Sequence, residues 1–131
     1  MSKKFAVNEY VTADDIKRIR KELNLTQTEF AQLVGSSKPT IERWEKSDSK
    51  IKGPIALLVE MLGRNTDYVI DLEVPDKELP VRMWYMYKDK ACTLIDVDEV
   101  KKIVRIKNYV DNVMFTAFGN NTAPSIDDYN Y

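Results

Sequence analysis

Residues 25–46, Leu25-Thr-Gln-Thr-Glu-Phe-Ala-Gln-Leu-Val-Gly-Ser-Ser-Lys-Pro-Thr-Ile-Glu-Arg-Trp-Glu-Lys46, describe two short helices joined by a tight turn. Thr26 and Glu29 have the spacing of a capping box, in which the hydroxyl accepts from the Glu29 N–H and the carboxylate reaches back to the Thr26 N–H. Phe30, Leu33 and Val34 supply the buried face of the first helix. Gly35 closes it, because glycine takes the left-handed conformation at little steric cost. Ser36 and Ser37 make the turn, with Ser37 as N-cap of the second helix and Pro39 at an early position where its missing N–H costs nothing. Ile41 and Trp44, three apart, turn inward, while Lys38 and Arg43 place cations at the start and on the outer face. A rod of that form suits the DNA major groove.

Outward from this segment the pattern is helical towards the N-terminus. Thr12-Ala-Asp-Asp15 supplies a capping hydroxyl and acids where the helix dipole favours them, and Ile16, Ile19 and Leu23 recur at helical spacing, which predicts a helix over 13–23. Ser47 to Gly53 is rich in turn residues, and Pro54 opens a fourth helix to about Gly63. Ile55, Leu58, Val59 and Leu62 of that helix point to the core, whereas Leu57 and Met61 share a different face. Thr66 caps a short fifth helix over about 67–72.

Beyond Pro75-Asp-Lys-Glu-Leu-Pro80, which reads as a linker at 75–80, the texture changes. Segments 81–88, 91–97 and 101–109 are rich in Val, Ile, Tyr, Trp and Thr and predict a three-stranded antiparallel meander. In the third, Val104 and Ile106 alternate with Arg105 and Lys107, so one face is apolar and the other basic. Residues 113–118 are an apolar run that periodicity assigns to neither strand nor helix. Ala123-Pro-Ser-Ile-Asp-Asp-Tyr129 begins like a helix with Ser125 as cap, and its proximity to Tyr131 suggests a chain shortened relative to a longer relative. The expected fold class is α+β: an N-terminal five-helix bundle over 1–74, the linker, and a small β-rich region over 81–131.

Bulk properties bound the chemistry. Lys and Arg number 20 against 21 Asp and Glu, so any nucleic-acid reading rests on local distribution. From Lys38 to Lys52 there are five cations (Lys38, Arg43, Lys46, Lys50, Lys52) and three anions (Glu42, Glu45, Asp48). With no histidine and the single Cys92, the usual zinc ligand sets and the Ser-His and Cys-His pairs are missing, so neither an enzyme nor a cofactor is expected. No apolar run approaches the roughly 18 residues of a membrane span, and the N-terminus lacks the apolar region of a secretory signal. The expectation is a cytoplasmic protein without a membrane partner.

With both helices placed, Leu23-Asn-Leu-Thr-Gln-Thr-Glu-Phe-Ala-Gln-Leu-Val-Gly-Ser-Ser-Lys-Pro-Thr-Ile-Glu-Arg-Trp-Glu45 resembles the phage-repressor type of helix-turn-helix domain, often called Xre-like, over residues 13 to about 72. Thr-Gln, Phe-Ala, the turn glycine, Thr-Ile and Trp-Glu all fall at that family's spacing. The resemblance implies that Ser37, Lys38, Thr40 and Arg43 approach base edges and that Gln27 approaches a phosphate. Pro39 departs from the polar residue often found there; it cannot donate to a base, which leaves contact with a thymine methyl or simple shape. Lys46-Ser47 stands where the family commonly has glycine. The second half resembles C-terminal extensions of helix-turn-helix proteins from mobile elements of Firmicutes, a resemblance that carries no site residues.

Each candidate has a plainer reading. Arg43 on an arbitrary helix would be a solvated partner of Glu42 or Glu45; within this motif its fork matches guanine O6 and N7. Lys38 reaches base or phosphate equally, and Glu42 reads better as a structural group or a filter against phosphate than as a cytosine reader. Lys46, Lys50 and Lys52 flank the groove helix and are assigned to phosphates rather than to an ordinary solvated run. Trp84, Tyr85 and Tyr87 read as a packed sheet face, Cys92 as buried filler, and Asp96, Asp98 and Glu99 as hairpin solvation. The expected function is a sequence-specific transcriptional regulator, a repressor, binding double-stranded DNA as a homodimer through Leu57 and Met61 or through the strands beyond residue 80. The alternative is an antitoxin whose residues 81–131 bind a partner protein.

Overall fold

The computed structural model describes residues 2–130 and divides into two compact units between Asp71 and Leu72. The first contains β1 (Tyr10–Val11), α1 (Ala13–Glu22), α2 (Gln27–Val34), α3 (Lys38–Glu45), β2 (Ile51–Lys52), α4 (Pro54–Arg64) and α5 (Thr66–Asp71). The second contains β3 (Val81–Tyr87), β4 (Lys90–Asp98), β5 (Ile103–Asn108), a 3₁₀ turn at Val113–Phe115 and α6 (Ile126–Asn130). The class is α+β. The described residues hold six α-helices, five of them in the first unit, and two antiparallel sheets where a single meander was expected.

In the first unit the helix starts form as their sequences require. Thr12 Oγ1 accepts from the Asp15 N–H at 3.2 Å while Asp15 Oδ2 accepts from the Thr12 N–H at 2.9 Å. Thr26 and Glu29 repeat the exchange at 3.2 and 2.8 Å. Both carboxyls titrate below the ordinary range, chiefly because the N-cap backbone N–H binds their charged form. Gly35 ends α2 at φ +73°, in the left-handed region that lets its N–H reach back to the carbonyls of Ala31 and Gln32.

The core gathers Ile16 and Ile19 of α1, Phe30 and Ala31 of α2, Ile41 of α3, and Ile55, Ala56, Val59 and Leu62 of α4. Leu33, Val34, Trp44 and Leu58, expected inside, are half-buried against it, and Leu57 and Met61 are exposed as their separate face predicts. The departure from a pure bundle is β1–β2: the Ser47–Gly53 connection contains a strand that pairs antiparallel with the N-terminal segment, Tyr10 opposite Lys52 and Val11 opposite Ile51. Two-residue strands are too short to show a period, and nothing local in sequence links partners some forty residues apart.

In the second unit the meander runs β3-β4-β5 with β4 central and buried from Cys92 to Asp98. Asp96 holds Arg82 through two bonds of 2.7 and 2.9 Å, and Asp98 Oδ1 accepts from the N–H groups of Val100 and Lys101 to close the β4–β5 turn. Thr93 Oγ1, fully buried, donates to Asn108 Oδ1 at 2.8 Å and accepts from Ala117 N–H at 3.1 Å, tying the tail to the sheet. Residues 75–80, expected as a linker, belong with this sheet: Glu78 pairs with Arg105 at 2.9 Å and Leu79 is buried. Just before them, the Glu73 carbonyl accepts from Lys107 Nζ and from Tyr109 Oη. The prolines mark a strap rather than a free tether. Residues 113–118 are neither strand nor α-helix but the 3₁₀ turn and its sequel, capped by Asn112 Oδ1 accepting from the Met114 N–H at 3.0 Å.

Candidate nucleic-acid interface

α3 is eight residues long, about 12 Å at 1.5 Å per residue, and its two faces are held apart by 3.6-residue periodicity. Ile41 (0% exposed) and Glu45 turn inward with Trp44 half-buried beside them; Lys38, Pro39, Arg43 and the C-capping Lys46 are exposed. A rod with an apolar back and a polar, cationic front can be presented to a groove without unfolding anything.

Ser37 Oγ accepts from the Thr40 N–H at 3.3 Å and shares a hydrogen bond with Thr40 Oγ1 at 2.9 Å. These two hydroxyls, expected at base edges, are thus engaged in the cap, with Thr40 half-buried. Lys38 Nζ lies 3.7 Å from Glu42 Oε1, both well exposed, a pair of small worth that a phosphate or base can displace. Glu42 accordingly has a structural partner on its own helix. Arg43 has no ion-pair partner among the described residues, so its guanidinium fork stands free at the front of the helix.

The candidate phosphate contacts flank this front in sequence. Gln27 opens α2, half-buried, with no side-chain hydrogen bond among the described residues. Lys46, Lys50 and Lys52 are all exposed. The β1–β2 ribbon disposes two of them: Lys52 is opposite Tyr10, and Lys50 Nζ sits 4.4 Å from the centroid of the Tyr10 ring, a cation–π contact that leaves the ammonium in solvent.

What holds α3 in place is a residue pair that sequence reading did not single out. Arg20 of α1 binds Glu45 of α3 through Nε to Oε2 at 2.9 Å and Nη2 to Oε1 at 2.8 Å, and its Nη1 donates to the Leu25 carbonyl at 3.1 Å. One guanidinium therefore ties α1, the entry to α2 and the end of α3. Side-chain exposures of 17% and 5% put the pair largely out of water, and the hydrogen bonds to Glu45 raise the Arg20 pKa. The signal in the sequence is a charge at position 45, four residues after Ile41 and so on the inward face, which requires a partner. The partner itself lies 25 residues away and cannot be read from spacing.

Residues 16–67 match the family model described as helix-turn-helix. Over this segment the chain is similar to helix-turn-helix domains of the Xre type. A stretch of 57 residues, 44% of this chain, is 30% identical to antitoxin HigA-2 of Vibrio cholerae serotype O1. The chain spans about half the length of that curated relative, 55%. Within the helix-turn-helix domain, α2 and α3 are the paired helices and Gly35 to Ser37 the turn. No helix among the described residues is long and apolar enough to cross a membrane.

Proposed function

We propose that the protein is a sequence-specific DNA-binding transcriptional regulator, a repressor, that reads base edges with α3. The observation that carries this reading is the division of α3 into an anchored back, Ile41 and the Arg20–Glu45 pair, and an exposed front, Lys38, Pro39 and Arg43. Arg43 takes a guanine through two parallel hydrogen bonds, Pro39 supplies apolar contact or shape, Lys38 reaches base or phosphate, and Gln27, Lys46, Lys50 and Lys52 position the domain on the backbone. Ser37 and Thr40 act through the cap, setting where the helix begins. Binding as a dimer follows from the small number of base pairs one module covers; two copies match half-sites about one helical turn apart.

Selection of bound oligonucleotides from a random pool, followed by footprinting, tests both parts. The expected result is a palindrome whose half-sites are centred about 10 base pairs apart. Equal retention of all sequences would overturn base reading by α3.

A second reading is favoured by the similarity to a protein named as an antitoxin. Here residues 81–131 bind a partner protein, and DNA binding serves to regulate the pair's own synthesis. Co-expression with the product of the neighbouring gene separates the readings: stable co-purification supports the second, and a chain recovered alone supports the first.

A further inference from the structure

β3 is an edge strand: the order β3-β4-β5 leaves one side of its backbone without a neighbour in the sheet. Such a row of N–H and C=O groups is a template for another strand, and proteins guard it with charges, prolines, bulges or covering elements. The opposite edge is guarded, since Arg105 and Lys107 alternate along β5 and α6 lies against it. β3, Val-Arg-Met-Trp-Tyr-Met-Tyr, has one charge, Arg82, already neutralised by Asp96. Val81, Trp84, Tyr85, Met86 and Tyr87 are between 38% and 46% exposed, although Trp84 leans on Tyr109 and Tyr87 on Phe115. The ladder to β4 is regular from Val81 to Tyr85, and its one irregularity falls after Tyr85. An uninterrupted five-residue edge is therefore on offer.

We propose that β3 pairs antiparallel with β3 of a second copy about a two-fold axis at Met83, giving one continuous six-stranded sheet. The occupant follows from the strand's own residues. Antiparallel pairing about Met83 sets Val81 against Tyr85 of the partner subunit, Arg82 against Trp84 of the partner subunit, and Met83 against its own copy. Strand alternation puts Val81, Met83 and Tyr85 on one face and Arg82 and Trp84 on the other. Every cross-strand pair is then apolar on apolar or cation on aromatic, and no like charges meet. Self-complementarity of this kind is what a closed two-fold interface requires. The two-fold demand rests on the DNA-binding reading above, but the strand pairing is measured without DNA, so each can fail alone.

The test is the mass of the full chain in solution against concentration, by sedimentation or light scattering. The expected species is a dimer, twice the chain's 15.2 kDa. Val81→Glu and Tyr85→Lys, both at exposed positions, each leave an unmatched charge at the seam and raise the dissociation constant by about 10-fold or more. The double variant V81E/Y85K sets opposite charges across the seam twice and recovers the dimer. Circular dichroism confirms the sheet in each variant. Should one lose it, Met83→Cys reports the same axis: it cross-links to its own copy, while Tyr87→Cys does not. A monomer at the concentrations that bind DNA, a dimer indifferent to both single variants, a double variant no better than the singles, or no cross-link at Met83 would each overturn the proposal. A chain that stays monomeric and protects β3 only beside a foreign protein would overturn it too.

Discussion

Arg43 and Glu45 are two residues apart, yet one faces the proposed groove and the other the interior, and their substitutions should be told apart by different measurements. Arg43→Ala is expected to leave stability unchanged and to lose about 1–3 kcal/mol of discrimination at one base pair. Lys50→Ala should weaken binding to all sequences alike and reduce the slope of affinity against salt by about one. Competition between specific and random DNA at several salt concentrations reads both; equal loss on both DNAs for Arg43→Ala would refute its assignment. Glu45→Ala acts through folding. It leaves the Arg20 guanidinium largely buried without its carboxylate, and breaking such pairs costs about 3–5 kcal/mol. The lower end is expected because Arg20 keeps its bond to the Leu25 carbonyl and some access to water. Denaturant unfolding checks this, and a loss under about 1 kcal/mol would mean that the clamp contributes little.

The capping boxes make the starts of α1 and α2 sensitive to acid. Asp15 and Glu29 are held below the ordinary carboxylate range by the N–H groups of Thr12 and Thr26. A depressed folded-state pKa contributes stability above the unfolded value and loses it as pH falls through the folded value. Melting temperature should therefore drop as pH is lowered below about 4, and the drop should be shallower in Glu29→Gln. Thr26→Ala removes the other half of the α2 box and should cost about 1 kcal/mol near neutral pH. A thermal melt series from neutral to acid pH would detect both, and parallel curves for Glu29→Gln and the parent chain would exclude a role for that carboxylate. The same elements show how local signals succeed: the boxes, Gly35 and Pro39 lie within four residues of the groups they serve, and these starts and stops were readable from the chain alone.

Each unit has its own interior, one built on Phe30, Ile16 and Ile41 and the other on Thr93, Leu94 and Val97. A fragment ending at Asp71 is accordingly expected to keep its helical circular dichroism and melt in one transition. Because the proposed dimer contact lies in β3, that fragment should bind a two-half-site operator roughly 100-fold more weakly than the full chain, the usual loss when linked modules are separated. Equal affinity would place dimerisation within the helical unit. The residue order alone was enough for the α+β class, the paired helices, the meander and the outward placement of Lys38, Pro39 and Arg43. Capping, periodicity and turn chemistry act over a few residues and leave their mark in the string. Folding was needed to reveal the β1–β2 ribbon, the Arg20–Glu45 clamp, the strap formed by residues 75–80, and the hydrogen bond that engages the Thr40 hydroxyl with the Ser37 cap. The first three join groups 25 to some 40 residues apart, and the fourth depends on which way a hydroxyl turns once its helix exists. Neither distance in space nor choice of rotamer is written in spacing along the chain.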